Sequence, residues 1–99
     1  MEENRQRLDR WLWHARLVKT RTRAALLAAS GHVRLNGKRI AAPGRAVRPG
    51  DVLTIAMTDS VKVLRVADLA ARRGGSEEAK RLYDDLSRPT TLAGDKGVR

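Results

Sequence analysis

The sequence predicts a small α+β protein: two short helices in front, an Asn-Gly hairpin and further strands behind them, and one more short helix near the end. Three observations predict it. Apolar positions recur at helical spacing over residues 8–15 and again over 24–28. The dipeptide Asn36-Gly37 separates two short runs, and Pro49-Gly50-Asp51 introduces a stretch of period-two alternation.

The first helix is predicted from Arg7 to Arg16. Leu8, Trp11, Leu12 and Ala15 make one apolar stripe, and Asp9 lies in the first turn, where a carboxylate suits the helix dipole. Arg16 and Lys19 fall near the C-terminal end, where cations are favoured. Trp13 points roughly 140° away from Leu8. It has two readings, stacking on a base or packing beneath the C-terminal segment, and packing is preferred because a helix indole beside a second segment is usually buried.

The second helix is predicted from Thr20 to Ser30. Thr20 is a good N-cap, and Gly31 supplies the left-handed stop. Arg21 and Arg23 occupy the first turn, which the macrodipole disfavours by a few tenths of a kcal/mol. They are either two solvated side chains or the sign of an anion held at that helix start.

Val33 and Leu35 alternate with Arg34, and Lys38-Arg39-Ile40 follows the Asn36-Gly37 turn, whose type I′ geometry needs positive φ at both positions. Residues 41–48 read as a loop. Val52 to Met57 reads as a strand with Leu53, Ile55 and Met57 on one face, and Val61 to Val66 as the next, after a turn at Thr58-Asp59-Ser60. Alternation slips at Val63-Leu64, as a bulge or as a strand covered on both faces. Arg72-Arg73-Gly74-Gly75 reads as a flexible basic link. Ser76 is the expected cap of a helix starting Glu77-Glu78, with Leu82 and Leu86 on one face and Tyr83 beside them. Residues 88–99 show no periodicity, and disorder is expected there.

Charge points to a partner. Residues 1–50 hold 12 of the 21 Lys and Arg but only 3 of the 11 acids, a net +9, whereas residues 51–99 carry +1. A compact basic half with ordered turns favours a nucleic-acid phosphate backbone. The 99 residues allow one domain. Cysteine is absent, which removes disulfides and thiolate metal sites. The charged start is unlike a signal peptide, and no apolar run reaches the roughly 20 residues of a membrane span. A cytoplasmic protein without membrane contact is expected.

Catalytic constellations are missing. His14 and His32 are the two histidines, read as an exposed helix residue and an exposed turn residue. No metal-ligand, nucleophile–base or phosphate-loop motif is present, so neither a cofactor nor a metal nor catalysis is expected.

Taken in order, Arg7-Leu8-Asp9, Lys19-Thr20-Arg21, Gly31-His32-Val33-Arg34-Leu35-Asn36-Gly37 and Pro49-Gly50-Asp51 resemble the RNA-binding domain named after small-subunit ribosomal protein four, the S-four domain. The run from Leu8 to Trp13, with Arg16 and Lys19-Thr20-Arg21 after it, is similar to the bacterial heat-shock protein 15 family. So are Arg72-Arg73-Gly74, Ser76-Glu77-Glu78-Ala79 and Leu82-Tyr83. The resemblance covers roughly residues 7–55 and implies two helices packed on a small antiparallel sheet (an αL-type RNA-binding motif), in a domain expected over residues 7–66. A C-terminal extension then covers 67–87 and a tail 88–99. The resemblance implies a protein bound to structured rRNA or tRNA and to the large ribosomal subunit, in stalled-ribosome rescue or heat-shock response; a non-catalytic monomer is expected. Carried over by position, the RNA face comprises Arg7, Asp9, Lys19, Thr20, Arg21, Arg34, Asn36 and Gly37. Lys38 and Arg39, beyond the turn, and Arg10 and Arg23, on the helices, are added here. Ala28 stands where the family usually has a larger aliphatic residue, so a thin core is expected at that point. The family's longer members also carry a basic tail, of which little is seen before Arg99.

Folded RNA is read largely by shape, phosphate and 2′-hydroxyl contacts, which suits a chain rich in arginine with only Trp11, Trp13 and Tyr83 as aromatics. Three other readings stand beside this one; a nonspecific polycation is opposed by the ordered turn signals. A DNA-binding helix-turn-helix needs polar base-reading side chains, where residues 24–29 are Ala-Ala-Leu-Leu-Ala-Ala. An accessory domain of an RNA-modifying enzyme needs a catalytic domain outside these residues.

Overall fold

Leu8, Trp11, Leu12 and Ala15 are all buried, so the stripe that predicts the first helix is also what seats it. In the computed structural model, which describes residues 4–58 and 60–86, the helix α1 spans Leu8–His14 and is preceded by a two-residue strand, β1 (Gln6–Arg7). The N–H groups at its start need partners. Leu8 N–H donates to the Arg45 carbonyl at 2.8 Å and Asp9 N–H to the Pro43 carbonyl at 3.1 Å. Its other end stops two residues before the expected Arg16. Arg16 adopts φ 60°, its N–H returns to Trp13 O, and Leu17 N–H returns to Leu12 O, both at 3.1 Å. That is a Schellman stop with arginine in the left-handed position usually taken by glycine.

Helix α2 spans Arg21–Ala29, and Thr20 is its N-cap, its hydroxyl accepting from Arg23 N–H at 3.0 Å. Ala24 and Ala28 are fully buried against α1 and the sheet, small enough to let the layers approach. Strands β2 (Val33–Leu35) and β3 (Lys38–Ile40) form the predicted hairpin, with Asn36 at φ 52° and Gly37 at φ 87° as a type I′ turn requires. The stretch 41–48, expected as loop throughout, contains the short strand β4 (Ala46–Val47), which pairs with β1.

Strands β5 (Val52–Ala56) and β6 (Val61–Val66) pair in unbroken antiparallel register from Val52↔Arg65 to Ala56↔Val61. The bulge offered for Val63-Leu64 is therefore absent. The alternation slips in the sequence because Val61 and Val63 face outward while Lys62 shares the inner face with Leu64 and Val66. Val33, Leu35, Ile40, Leu53, Ile55, Leu64 and Val66 cover one side of the sheet and form a single core with the α1 stripe.

The C-terminal helix is shorter than expected. It spans Ser76–Lys80 (α3), and its N-cap is Gly75 rather than Ser76, with Gly75 N–H donating to Glu78 Oε1 at 2.8 Å. Leu82 is buried, but Tyr83–Asp85 leave the helix and form β7 on the edge of the sheet, giving the order β3-β2-β5-β6-β7. Leu86 is not a helix residue and stays exposed. Pairing of β7 with β6 sets the Tyr83 ring edge-on to Trp11 at 6.4 Å, a contact that overrides the local helix signal. Residues 88–99, for which disorder was expected, lie outside the described residues.

Candidate nucleic-acid interface

The first turn of α2 presents Arg21 and Arg23, with Lys19 just before the Thr20 cap, and all four residues are exposed. Arg10, exposed on α1, shares a cleft with Arg21. Arg23 lines a second groove with His32, and His32 in turn lines a concavity with Arg34 and Arg39. The basic positions thus run from α1 over the start of α2 onto the outer face of the hairpin.

On that outer face Arg34 and Arg39 stand directly opposite each other in the β2–β3 register. Like charges at such a cross-strand pair are destabilising. Arg39 is held by its Nε, which donates to Gly31 O at 3.1 Å. Lys38 pairs with Leu35 and so belongs to the opposite side of the sheet from Arg34, although it is exposed at the edge.

Several of the predicted face residues, Arg7, Asp9 and Asn36 among them, are engaged with the protein itself. Asp9 is buried and receives a bidentate contact from Arg7, Nε to Oδ1 at 3.0 Å and Nη2 to Oδ2 at 2.9 Å, while Arg10 N–H donates to its Oδ1 at 2.8 Å. Burial alone pushes the Asp9 carboxyl up, but the hydrogen bonds from Arg7 and Arg10 and the charges of Arg7 and Arg21 outweigh it and hold it below the usual carboxylate range. The same hydrogen bond raises Arg7 above its ordinary value. Asp9 therefore holds the Arg7 guanidinium in place. Asn36 spends its side chain on the β5 side of the turn, and Gly37 has open space around it.

His14, expected as exposed, is buried. The segment 68–74 covers it, and its Nδ1 donates to Ala70 O at 2.9 Å, since a carbonyl can only accept. Burial, and then the charges of Arg10, Arg21 and Arg73, push its pKa below the ordinary value against the opposing effect of the Ala70 bond. His32 is exposed, as expected, with Nδ1 2.8 Å from Ser30 Oγ.

The stretch read as a flexible link, together with Asp68 and Ala70 before it, is instead stitched to α1 and its flanking residues. Trp11 Nε1 donates to Asp68 O at 2.9 Å, Gln6 Nε2 to Ala70 O at 2.7 Å, Arg16 Nε to Gly74 O at 2.9 Å, and Arg73 Nε to Trp13 O at 3.0 Å. The Arg73 guanidinium also lies 5.5 Å from the centroid of the Trp13 ring. Trp13 is half-buried there, as the packing reading has it. These contacts bring Arg72 and Arg73, which the charge count assigned to the near-neutral half, beside Arg10 and Arg21. The only sequence sign of this was an indole off the apolar stripe, with no marker of its partner 60 residues away.

Among the described residues no helix is long and apolar enough to cross a membrane. The S4 domain family matches residues 6–53 of this chain. The chain is 36% identical over 85 residues to a heat shock protein 15 homolog of Haemophilus influenzae, covering 86% of this chain and 64% of that protein. It is 34% identical over 81 residues to heat shock protein 15 of Escherichia coli, covering 82% and 60% respectively. The chain thus spans about 60% of the length of such relatives. A solved trimeric heat shock protein 15 from Vibrio cholerae superposes with a TM-score of 0.77 at 35% identity, over 84% of this chain and 83% of that one.

Proposed function

The chain belongs to the heat shock protein 15 family of S4 domain proteins, and from that premise we propose that it is a non-catalytic RNA-binding protein that holds structured ribosomal RNA on its basic face. The observation that carries this reading is the set of exposed cations spread over neighbouring concavities, Arg10 with Arg21, Arg23 beside His32, and Arg34 with Arg39, with Lys19 just before the α2 cap. Arginines at a capped helix start and in a like-charge cross-strand pair are locally unfavourable, and an anionic partner removes both penalties. The rigid scaffold suits recognition of shape and phosphate rather than of unstacked bases.

The finer reading places that RNA on the large ribosomal subunit, including subunits left carrying a nascent chain on tRNA, in the cytoplasm of a bacterium. A monomer is the proposed binding unit, because one chain supplies the whole run of cations. Co-sedimentation with ribosomal subunits, beside binding to duplex DNA at matched salt, tests both levels. Preferential recovery with the large subunit supports the proposal. Equal affinity for random duplex DNA overturns RNA recognition, and equal recovery with both subunits overturns the finer placement.

A further inference from the structure

We propose that the cleft between α1, the first turn of α2 and residues 70–73 is a second anion subsite, in which Arg72 and Arg73 join Arg10 and Arg21 around one phosphodiester of the bound RNA. The inference rests on the RNA-binding reading above and extends it to a segment outside the S4 match, which ends at residue 53.

The cleft has a volume of about 370 Å³ and no acidic residue in its lining, which includes the four arginines, Trp13 and His14. Among the described residues Arg10, Arg21 and Arg72 form no ion pair. The Asp9 carboxylate feels the charge of Arg21, but its oxygens are taken by Arg7 and by Arg10 N–H. Converging guanidiniums repel one another unless an anion lies between them. Among the described residues Arg73 hydrogen-bonds through its Nε, toward Trp13 O, with its guanidinium over the Trp13 ring, which leaves its two terminal nitrogens for a ligand. Forked donors of this kind match the oxygens of a phosphate.

The site is also built in advance. The segment bearing Arg72 and Arg73 forms no helix or strand, and its carbonyls at Asp68, Ala70 and Gly74 are anchored by Trp11, Gln6, His14 and Arg16 side chains. Fixing the segment before RNA arrives removes its ordering cost from binding. The pKa of His14 is lowered first by its burial and then by the charges of Arg10, Arg21 and Arg73.

Arg72→Gln separates this subsite from the scaffold, because Arg72 is exposed and has no hydrogen bond or ion pair among the described residues. With a structured rRNA fragment titrated at several salt concentrations, Arg72→Gln is expected to weaken binding about 3–10-fold and to reduce the salt slope by about 0.7–0.9, one phosphate contact. Arg72→Lys is expected to keep the slope, and Arg81→Gln, outside the cleft, to change nothing. Thermal unfolding should be the same for all three. RNA should also alter the tryptophan emission of the native protein and not that of Trp13→Phe. Unchanged affinity and slope in Arg72→Gln, while Arg21→Ala still weakens binding, overturns the subsite and leaves the RNA-binding reading intact. Weakened binding with an unchanged slope and a lowered Tm also overturns it, since the role is then structural. A Trp13 response to poly-glutamate equal to that with RNA overturns RNA as the occupant. If neither Arg21→Ala nor Arg72→Gln affects binding, the broader reading fails as well.

Discussion

Asn36 ties the hairpin turn to the strand beside it: its Oδ1 accepts Val52 N–H at 2.9 Å and its Nδ2 donates to Asp51 at 3.1 Å. Asn36 N–H also donates to Val52 O at 2.7 Å. Asp51 completes the brace with its other oxygen, which accepts Arg48 N–H at 2.9 Å. The Asn-Gly and Pro-Gly-Asp turns, separate in the sequence, are thus one hydrogen-bonded unit at the end of the sheet.

Replacing Asn36 by Ala should therefore act on stability. It removes both side-chain bonds and puts a non-glycine residue at positive φ without an amide to support it, costing about 1–3 kcal/mol. Urea unfolding measures this. Asn36→Gly should recover part of the loss by relieving the backbone. RNA affinity of the folded Asn36→Ala protein should fall by less than that of Arg21→Ala.

Arg21→Ala should weaken RNA binding by about 1–3 kcal/mol, the range of charge-assisted contacts. Arg21 is exposed in the first turn of α2, so its removal should leave thermal unfolding unchanged or slightly improved. Arg81→Ala serves as the control in the same assay. Unfolding of the Arg21→Ala protein would instead assign that residue to joining the helices.

Binding should depend steeply on ionic strength. With about six phosphates neutralised, affinity should drop roughly 10²–10³-fold between about 50 and 200 mM salt. A nearly flat titration would mean that the run from Arg10 to Arg39 is not the contact surface.

Stability should decline in mild acid because of His14. Its folded pKa lies below the ordinary 6.5, so the unfolded chain takes up a proton that the folded chain refuses. The contribution is complete above the unfolded value and is lost as pH falls below it. Asp9, whose folded pKa is also lowered, adds a separate loss further down, beginning below about pH 4. Tm followed from about pH 8 to 5 should show a decline below about 6.5 that is reduced in His14→Gln, which keeps a donor for Ala70 O. Coincident profiles for the two proteins would exclude His14 as the source.

Much of the fold was legible because it is written in local chemistry. The α1 stripe, the Thr20 cap, Gly31 and the Asn36-Gly37 turn each act within a few residues of themselves. Strands β1 and β4 escaped because two residues carry no period, and β7 because Tyr83-Asp84-Asp85 becomes a strand only by pairing with β6. The site divides in the same way. Arg21, Arg23 and Arg34 are exposed on elements that the local signals place. The burial of His14 and the position of Arg73 depend on a segment 56–60 residues away, and nothing local marks such a pairing.

That long-range stitching imposes an order on synthesis. Domains tend to fold as the chain emerges, N-terminal parts first. Here α1 is made early, yet Trp11 and His14 wait for Asp68 and Ala70, 57 and 56 residues later, to receive their ring N–H groups. Until then one flank of α1 is open, and Arg10 and Arg21 lack the two arginines that share their cleft. A nascent chain bearing the S4 portion alone would therefore carry an incomplete basic surface. Its full grip on a polyanion would come only after the segment from Asp68 to Gly74 has left the machinery that makes it.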